Sequence, residues 1–193
     1  MSAAERERWD ARWRQRAAAD ALAPAPARFL VEHADRLPRA GRALDVAGGA
    51  GRHAIWLARR GLAVTLLDVS EVGLALAATR AAAAGVTVDV VAVDLDDAPA
   101  PSGPFDVIVI VHFLHRGRRD EIAATLAPGG VLVAIQPTMT NLERHARPGP
   151  EHLVAEGELA TWARAVGLEV EIVREGWNAE GRHETEMVAR RPG

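Results

Sequence analysis

Apolar positions along the chain follow two alternating rhythms, and the alternation predicts the fold. Residues 42–47, 63–67, 87–93, 105–111 and 131–135 are short apolar runs, the pattern of strands buried on both faces. Between them, residues 52–60, 71–84 and 118–126 carry helical spacing. Gly61 and Gly85 close the first two of these helices, and Pro128-Gly129-Gly130 follows the third. Strand and helix in strict turn predict a parallel sheet covered by helices.

The two ends of the chain depart from this rhythm. Residues 3–19 predict a helix with Trp9, Trp13 and Ala17 on one face, broken at Ala23-Pro24-Ala25-Pro26. A second helix is predicted over 28–37, stopped by Pro38. Residues 138–153 form a polar loop with arginines and prolines, longer than most connections and suited to a lid. A helix over 156–166, closed by Gly167, leads to strands at 168–173 and 184–189. Their connection, 174–183, is too short for a helical crossover, so the pair is antiparallel. The expected class is α/β: a Rossmann-like, mostly parallel seven-stranded sheet with an antiparallel C-terminal pair and helices on both faces.

Composition narrows the partners. At 193 residues, 49% hydrophobic and 25% charged, the chain suits one globular domain over 1–193. A formal charge of −3 leaves no basic footprint for nucleic acid. No uninterrupted apolar stretch could span a bilayer, and Met1 to Asp10 lacks a signal core, so a cytoplasmic location and no membrane partner are expected. Every cation outside histidine is arginine, which with the abundant alanine reads as codon bias. The absence of cysteine excludes disulfides, thiolate zinc sites and a cysteine nucleophile. His33 and His53 sit on separate predicted helices and no His-x-x-x-His spacing occurs, so no metal site is expected.

The candidate chemistry gathers at Leu44-Asp45-Val46-Ala47-Gly48-Gly49-Ala50-Gly51. Glycines where a strand turns into a helix let backbone approach a ligand closely, and the helix start offers unpaired amides. Gly49-Ala50-Gly51-Arg52-His53-Ala54 satisfies the dinucleotide pattern G-x-G-x-x-A, with Asp68 spaced to hold ribose hydroxyls. Asp45 argues otherwise: a carboxylate inside the first strand is costly unless a cation uses it, and the pyrophosphate of NAD is an anion. A plain tight turn with helix-capping aspartates remains the bland alternative.

Asp45-x-Ala47-x-Gly49-x-Gly51 resembles the acidic, Gly-rich first motif of class I S-adenosylmethionine-dependent methyltransferases, with Ala47 where the family has its first glycine. The resemblance implies S-adenosylmethionine as cofactor, Asp68 with Val69 on its ribose, Asp94 and Leu95 at its adenine, and Val111 near the fourth strand's end. It also implies a covering N-terminal helix, with Arg12, or after it Arg52, reaching the cofactor carboxylate; simple packing of Trp9 and Trp13 would produce the same spacing. On this reading residues 1–38 cover the cofactor cleft, 39–137 are the cofactor-binding core, and 138–193 form the substrate side.

Gly51-Arg52-His53-Ala54-Ile55-Trp56-Leu57-Ala58, Gly157-Glu158-Leu159 and Gly181-Arg182-His183-Glu184 are similar to the tellurite-resistance branch of that family, from Trp9 to Arg190. This implies methylation of a small molecule, a thiol-like compound or a chalcogen oxyanion such as tellurite or selenite. The 138–153 loop does not match that branch. Methyl transfer is an in-line displacement, so positioning dominates, and a protonated acceptor also needs a base. The resemblance places an arginine at Arg182 facing the donor methyl; Arg182 is the candidate to hold an anionic acceptor, with His183 or His112 as base. His115, Arg144, His145 and Arg147 share that rim and are equally consistent with solvated loop residues. Two alternatives stand: a catalytically silent cofactor-binding module of the same fold, and an NAD-dependent oxidoreductase, for which the chain has neither a substrate domain nor a catalytic tyrosine.

Overall fold

The computed structural model describes residues 3–17 and 25–193. Helix α1 spans Ala3–Ala17 and α2 Arg28–Glu32; the alternating core follows with β1 Arg42–Val46, α3 Arg52–Arg59, β2 Ala63–Asp68, α4 Glu71–Ala83 and β3 Val88–Ala92. It continues through β4 Phe105–Val111, α5 Arg119–Ala124, β5 Leu126–Pro137, α6 Glu158–Ala165, β6 Glu169–Trp177 and β7 His183–Arg190. Among the described residues these strands form one seven-stranded sheet in the order β3-β2-β1-β4-β5-β7-β6. Pairing is parallel from β3 through β5, and β7 runs antiparallel to both neighbours. The expected fold class is what the structure shows.

Alternation within each strand divides the core between the two faces of the sheet. On one face Val64, Leu66, Val107 and Val109 meet Phe29, Ile55, Leu57, Leu74 and Ala77 from α2, α3 and α4. On the other, Leu44, Ile108, Ile110 and Leu132 meet Ile122 of α5 and Leu159, Trp162 and Ala163 of α6. Apolar area buried on both faces fixes the register, since a slip by one residue would exchange the two sets.

Several boundaries move. The predicted end of the first helix at Ala19, and Ala23-Pro24 of the breaker, lie outside the described residues. The helix expected over 28–37 stops at Glu32 and tightens into a 3₁₀ turn over Ala34–Arg36, and Leu37, the residue Pro38 keeps out of helical backbone, is extended. The fifth strand begins earlier than expected, at Leu126, and takes Pro128-Gly129-Gly130 into a pairing irregularity opposite Phe105. The last hairpin is longer and tighter than expected: Arg174 pairs across to Glu186, so β6 runs to Trp177 and only 178–182 remain as turn. The 138–153 segment is not open loop. It holds 3₁₀ turns at Met139–Glu143 and Pro150–His152, buries Asn141 and Leu153, and bridges Thr138 to Val154.

Candidate active site

The C-terminal ends of β1, β2 and β4 meet where the strand order reverses, the place at which open α/β sheets bind ligands. The chain leaves β1 through Ala47, whose φ of 53° puts an alanine in the left-handed region, and Gly49 and Gly51 follow at 56° and 79°. A Cβ is disfavoured in that region, so alanine constrains this turn more than a glycine would. Gly48 donates to the Leu67 carbonyl at 3.0 Å, tying the turn to β2, and Gly51 starts α3. A Cβ at Gly48 would collide with the Asp45 carboxyl, so Asp45 lies directly beneath the turn.

Asp45 is 1% exposed. Its Oδ2 accepts the Ala54 amide at 3.0 Å, pinning the first turn of α3, while Oδ1 has no hydrogen-bond partner among the described residues. Burial pushes the carboxyl up to about 7, against the pull of the Ala54 bond and the Arg52 charge. His53 Nδ1 stands 3.8 Å from Oδ1, and burial presses that imidazole down to about 3, so it is neutral.

Asp68 closes β2. Its Oδ2 accepts from Gly49 N and its Oδ1 from Ser70 N, both at 2.8 Å, and burial raises its pKa despite these bonds. Val69 beside it is buried. Asp94, just past β3, is buried and accepts the Asp96 amide at 3.0 Å; Leu95 is buried against the α5–α6 face. Three carboxylates thus mark the ends of three neighbouring strands.

Helix α1 lies across this corner. A Cβ at Gly49 would run into the Trp13 ring, and one at Gly73 would come within 3.0 Å of the indole nitrogen, so these two glycines make the seat of Trp13. Asp10 Oδ1 accepts from Ser70 Oγ at 2.5 Å and from Val72 N at 3.4 Å, fastening α1 to the start of α4. Neither contact was foreseen, since both join positions about sixty apart in sequence.

On the β4 side, His112 follows Val111 with φ 58°, a conformation unusual for a non-glycine residue. Its Nε2 lies 2.7 Å from Glu184 Oε1, and the other oxygen of Glu184 accepts from Asn178 Nδ2 at 2.8 Å. Desolvation pushes Glu184 up, yet the His112 bond, the charges of His112 and Arg182 and the Asn178 bond hold it below the usual carboxylate value. Sequence reasoning assigned no role to Glu184; its signal was a charge on an inward-facing strand position directly after His183. A crevice of about 340 Å³ opens along this hairpin, bounded by Arg174, Trp177, Asn178, Glu180 and Glu184.

Arg182 occupies the 178–182 turn, its amide held by Asn178 Oδ1 at 2.9 Å. Its charge acts on both Arg12 and Arg52. Burial, then neighbouring arginines, lowers the Arg12 guanidinium; burial likewise lowers that of Arg52, with Asp45 opposing. Arg182 is thus within electrostatic reach of Arg12 on α1 and Arg52 on α3. His183 is engaged elsewhere, with Nδ1 2.6 Å from Thr138 Oγ1 and its ring edge-on to Trp177 at 5.2 Å. Arg144 stacks on Trp177 at 3.8 Å, His145 Nε2 lies 2.7 Å from the Gly181 carbonyl, and His115 pairs with Asp96. Arg147 is exposed.

Residues 43–130 match the family described as Methyltransferase domain. The demethylmenaquinone methyltransferase of Thermus thermophilus is 35% identical over 135 residues, 66% of this chain and 54% of that protein. A ubiquinone biosynthesis O-methyltransferase from a Caulobacter species is 35% identical over 114 residues, 55% of this chain and 45% of that protein. The chain thus spans about half the length of the curated relatives it matches. TehB from Haemophilus influenzae superposes with a TM-score of 0.70 at 20% identity, covering 86% of this chain and 62% of that one, a likeness of fold. The domain match over 43–130, the Gly-rich turn over Asp45 and the antiparallel β7 support the class I S-adenosylmethionine-dependent methyltransferase superfamily for this chain.

Proposed function

We propose that the protein transfers a methyl group from S-adenosylmethionine to a small nucleophile, a thiol-like compound or a chalcogen oxyanion such as tellurite or selenite. The observation that carries this reading is the corner itself: a glycine turn with left-handed backbone, an orphaned buried acceptor on Asp45 beneath it, and a second carboxylate, Asp68, hydrogen-bonded across it. These residues fit the cofactor. Asp45 offers negative potential under the turn to an ammonium group, and Asp68 keeps lone pairs for ribose hydroxyls beyond the two amides it already holds. Arg12 or Arg52 is suited to a carboxylate, while Asp94 and Leu95 bound the adenine end. Val111 and His112 stand at the β4 rim.

When bound, the cofactor supplies an electrophilic methyl on a positively charged sulfur. The protein's part is to hold the acceptor in line and keep water out, with Arg182 attracting an anionic acceptor and His112 or His183 receiving a proton where the acceptor carries one. Of the two, His112 has the less encumbered ring. Support for the small-molecule class comes from the net charge of −3, which offers nucleic acid no overall attraction.

Calorimetric titration with S-adenosylhomocysteine tests the reading. Saturable binding in the micromolar range is expected, weakened at least tenfold in Asp68→Ala with the fold retained. Well-folded protein that binds none would remove the proposal.

A further inference from the structure

His112 and Glu184 are the buried-to-exposed pair in this chain arranged like a base and its orienting acid. The His112 side chain is 32% exposed and Glu184 only 6%. Nε2 faces the carboxylate, so it carries the ring proton, and Nδ1 has no hydrogen-bond partner among the described residues. Asn178 fixes the second oxygen of Glu184, leaving the carboxylate one orientation. The left-handed backbone at His112 aims the ring across to β7, and strain of this kind persists where surrounding contacts impose it. Glu184 and Asn178, but not His112, also border the hairpin crevice. The charged groups around it are Arg182 on the turn, and Arg52 and the neutral His53 on α3.

We propose that Glu184 is the positioning residue of a His112 general base, and that the acceptor is accordingly a protonated X–H nucleophile, a thiol in the first instance, and not a preformed oxyanion. This rests on the methyltransferase reading above. An oxyanion already has an electron pair to offer and needs no base, so a carboxylate-backed imidazole would have no task. With a thiol the step balances. The S–H proton passes to Nδ1, the thiol sulfur's electron pair takes the methyl group, and the pair of the broken carbon–sulfur bond stays on the departing sulfur. The imidazolium so formed is neutralised by Glu184.

Glu184→Gln tests it, because glutamine keeps the size and the site for Asn178 but loses the charge. Nitrogen NMR, with His112→Gln to assign the ring, should find neutral His112 protonated on Nε2 in the native protein and a mixture of tautomers in E184Q. In turnover, kcat for 2-mercaptoethanol should fall in E184Q at least tenfold more than kcat for 4-nitrothiophenol, which is already ionised at neutral pH, with KM for both little changed. A native Nδ1–H tautomer, an equal loss for the two thiols, or no methylation of either would overturn the inference. Titration with S-adenosylhomocysteine on the same samples separates the two ideas. Retained binding confines the failure to the His112–Glu184 assignment, and absent binding removes the methyltransferase reading too.

Discussion

Burial sets the chemistry of individual residues here, and Asp45 shows it most directly. Its folded pKa, about 7, lies above the ordinary 3.8, so folding favours the protonated acid. The stability this contributes is fully present below about pH 4 and is lost as pH rises through about 7, on the order of 1 kcal/mol per pH unit. Urea unfolding between pH 5 and 8 should show that decline, and Asp45→Asn should flatten it. An unchanged slope in the variant would mean another group carries the titration. Ala47 is strained in the opposite sense, by its own Cβ at φ 53°. Ala47→Gly should raise stability by about 1 kcal/mol, relief of left-handed strain exceeding the added chain entropy, as read by thermal melting. Asp45, Asp68, Asp94 and the glycines were legible in sequence because strand ends and tight turns are local events. Glu184 was not, since its meaning comes from His112, seventy-two positions away.

At the scale of elements, α1 is seated by Trp13 against Gly49 and Gly73, and by Asp10 on Ser70 and Val72. Trp13 rests on the Gly49 turn proposed to hold the cofactor, and on that proposal the helix shifts or reseats its indole as a ligand arrives. Trp13→Ala should therefore speed S-adenosylhomocysteine association several-fold and dissociation about tenfold, the behaviour of a cover that gates passage both ways. Stopped-flow rates equal to those of the native protein would show α1 to be packing alone. The sequence disclosed the amphipathic helix and its tryptophan face through 3.6-residue spacing. It could not disclose the seat, because Gly73 looks like any small residue inside an alanine-rich helix until Trp13 is placed against it. The same limit applied to the 138–153 segment, whose polar composition hides the 3₁₀ turns that bury Asn141 and Leu153.

Taken whole, the molecule divides its rim in two. Strands β1 to β3 carry the carboxylates and glycines proposed to hold the cofactor, while β7 and its turn carry Arg182 and Glu184, proposed to face the acceptor. Alternation and turn signals made the sheet and its antiparallel end legible before any contact was known, because burial on two faces leaves a strand little choice of register. What joins the acceptor half is a clasp of side chains distant in sequence. Arg144 stacks on one side of Trp177, His183 meets the ring edge, and His145 holds the Gly181 carbonyl, so the 138–153 segment and the β6–β7 hairpin brace each other. Trp177→Ala removes the piece common to two of these contacts. It should lower unfolding free energy by about 2 kcal/mol, less than a fully buried tryptophan would because this one is only half-buried. With the hairpin loosened, Arg182 and Glu184 lose their fixed positions, so KM for the acceptor should rise about tenfold. S-adenosylhomocysteine affinity should hold, since Asp45 and Asp68 belong to strands β1 and β2 and Gly49 to the turn after β1, on the far side of β4 and β5. Equal weakening of cofactor and acceptor would mean that the two halves of the rim move as one body, and that the division drawn from strand order does not extend to function.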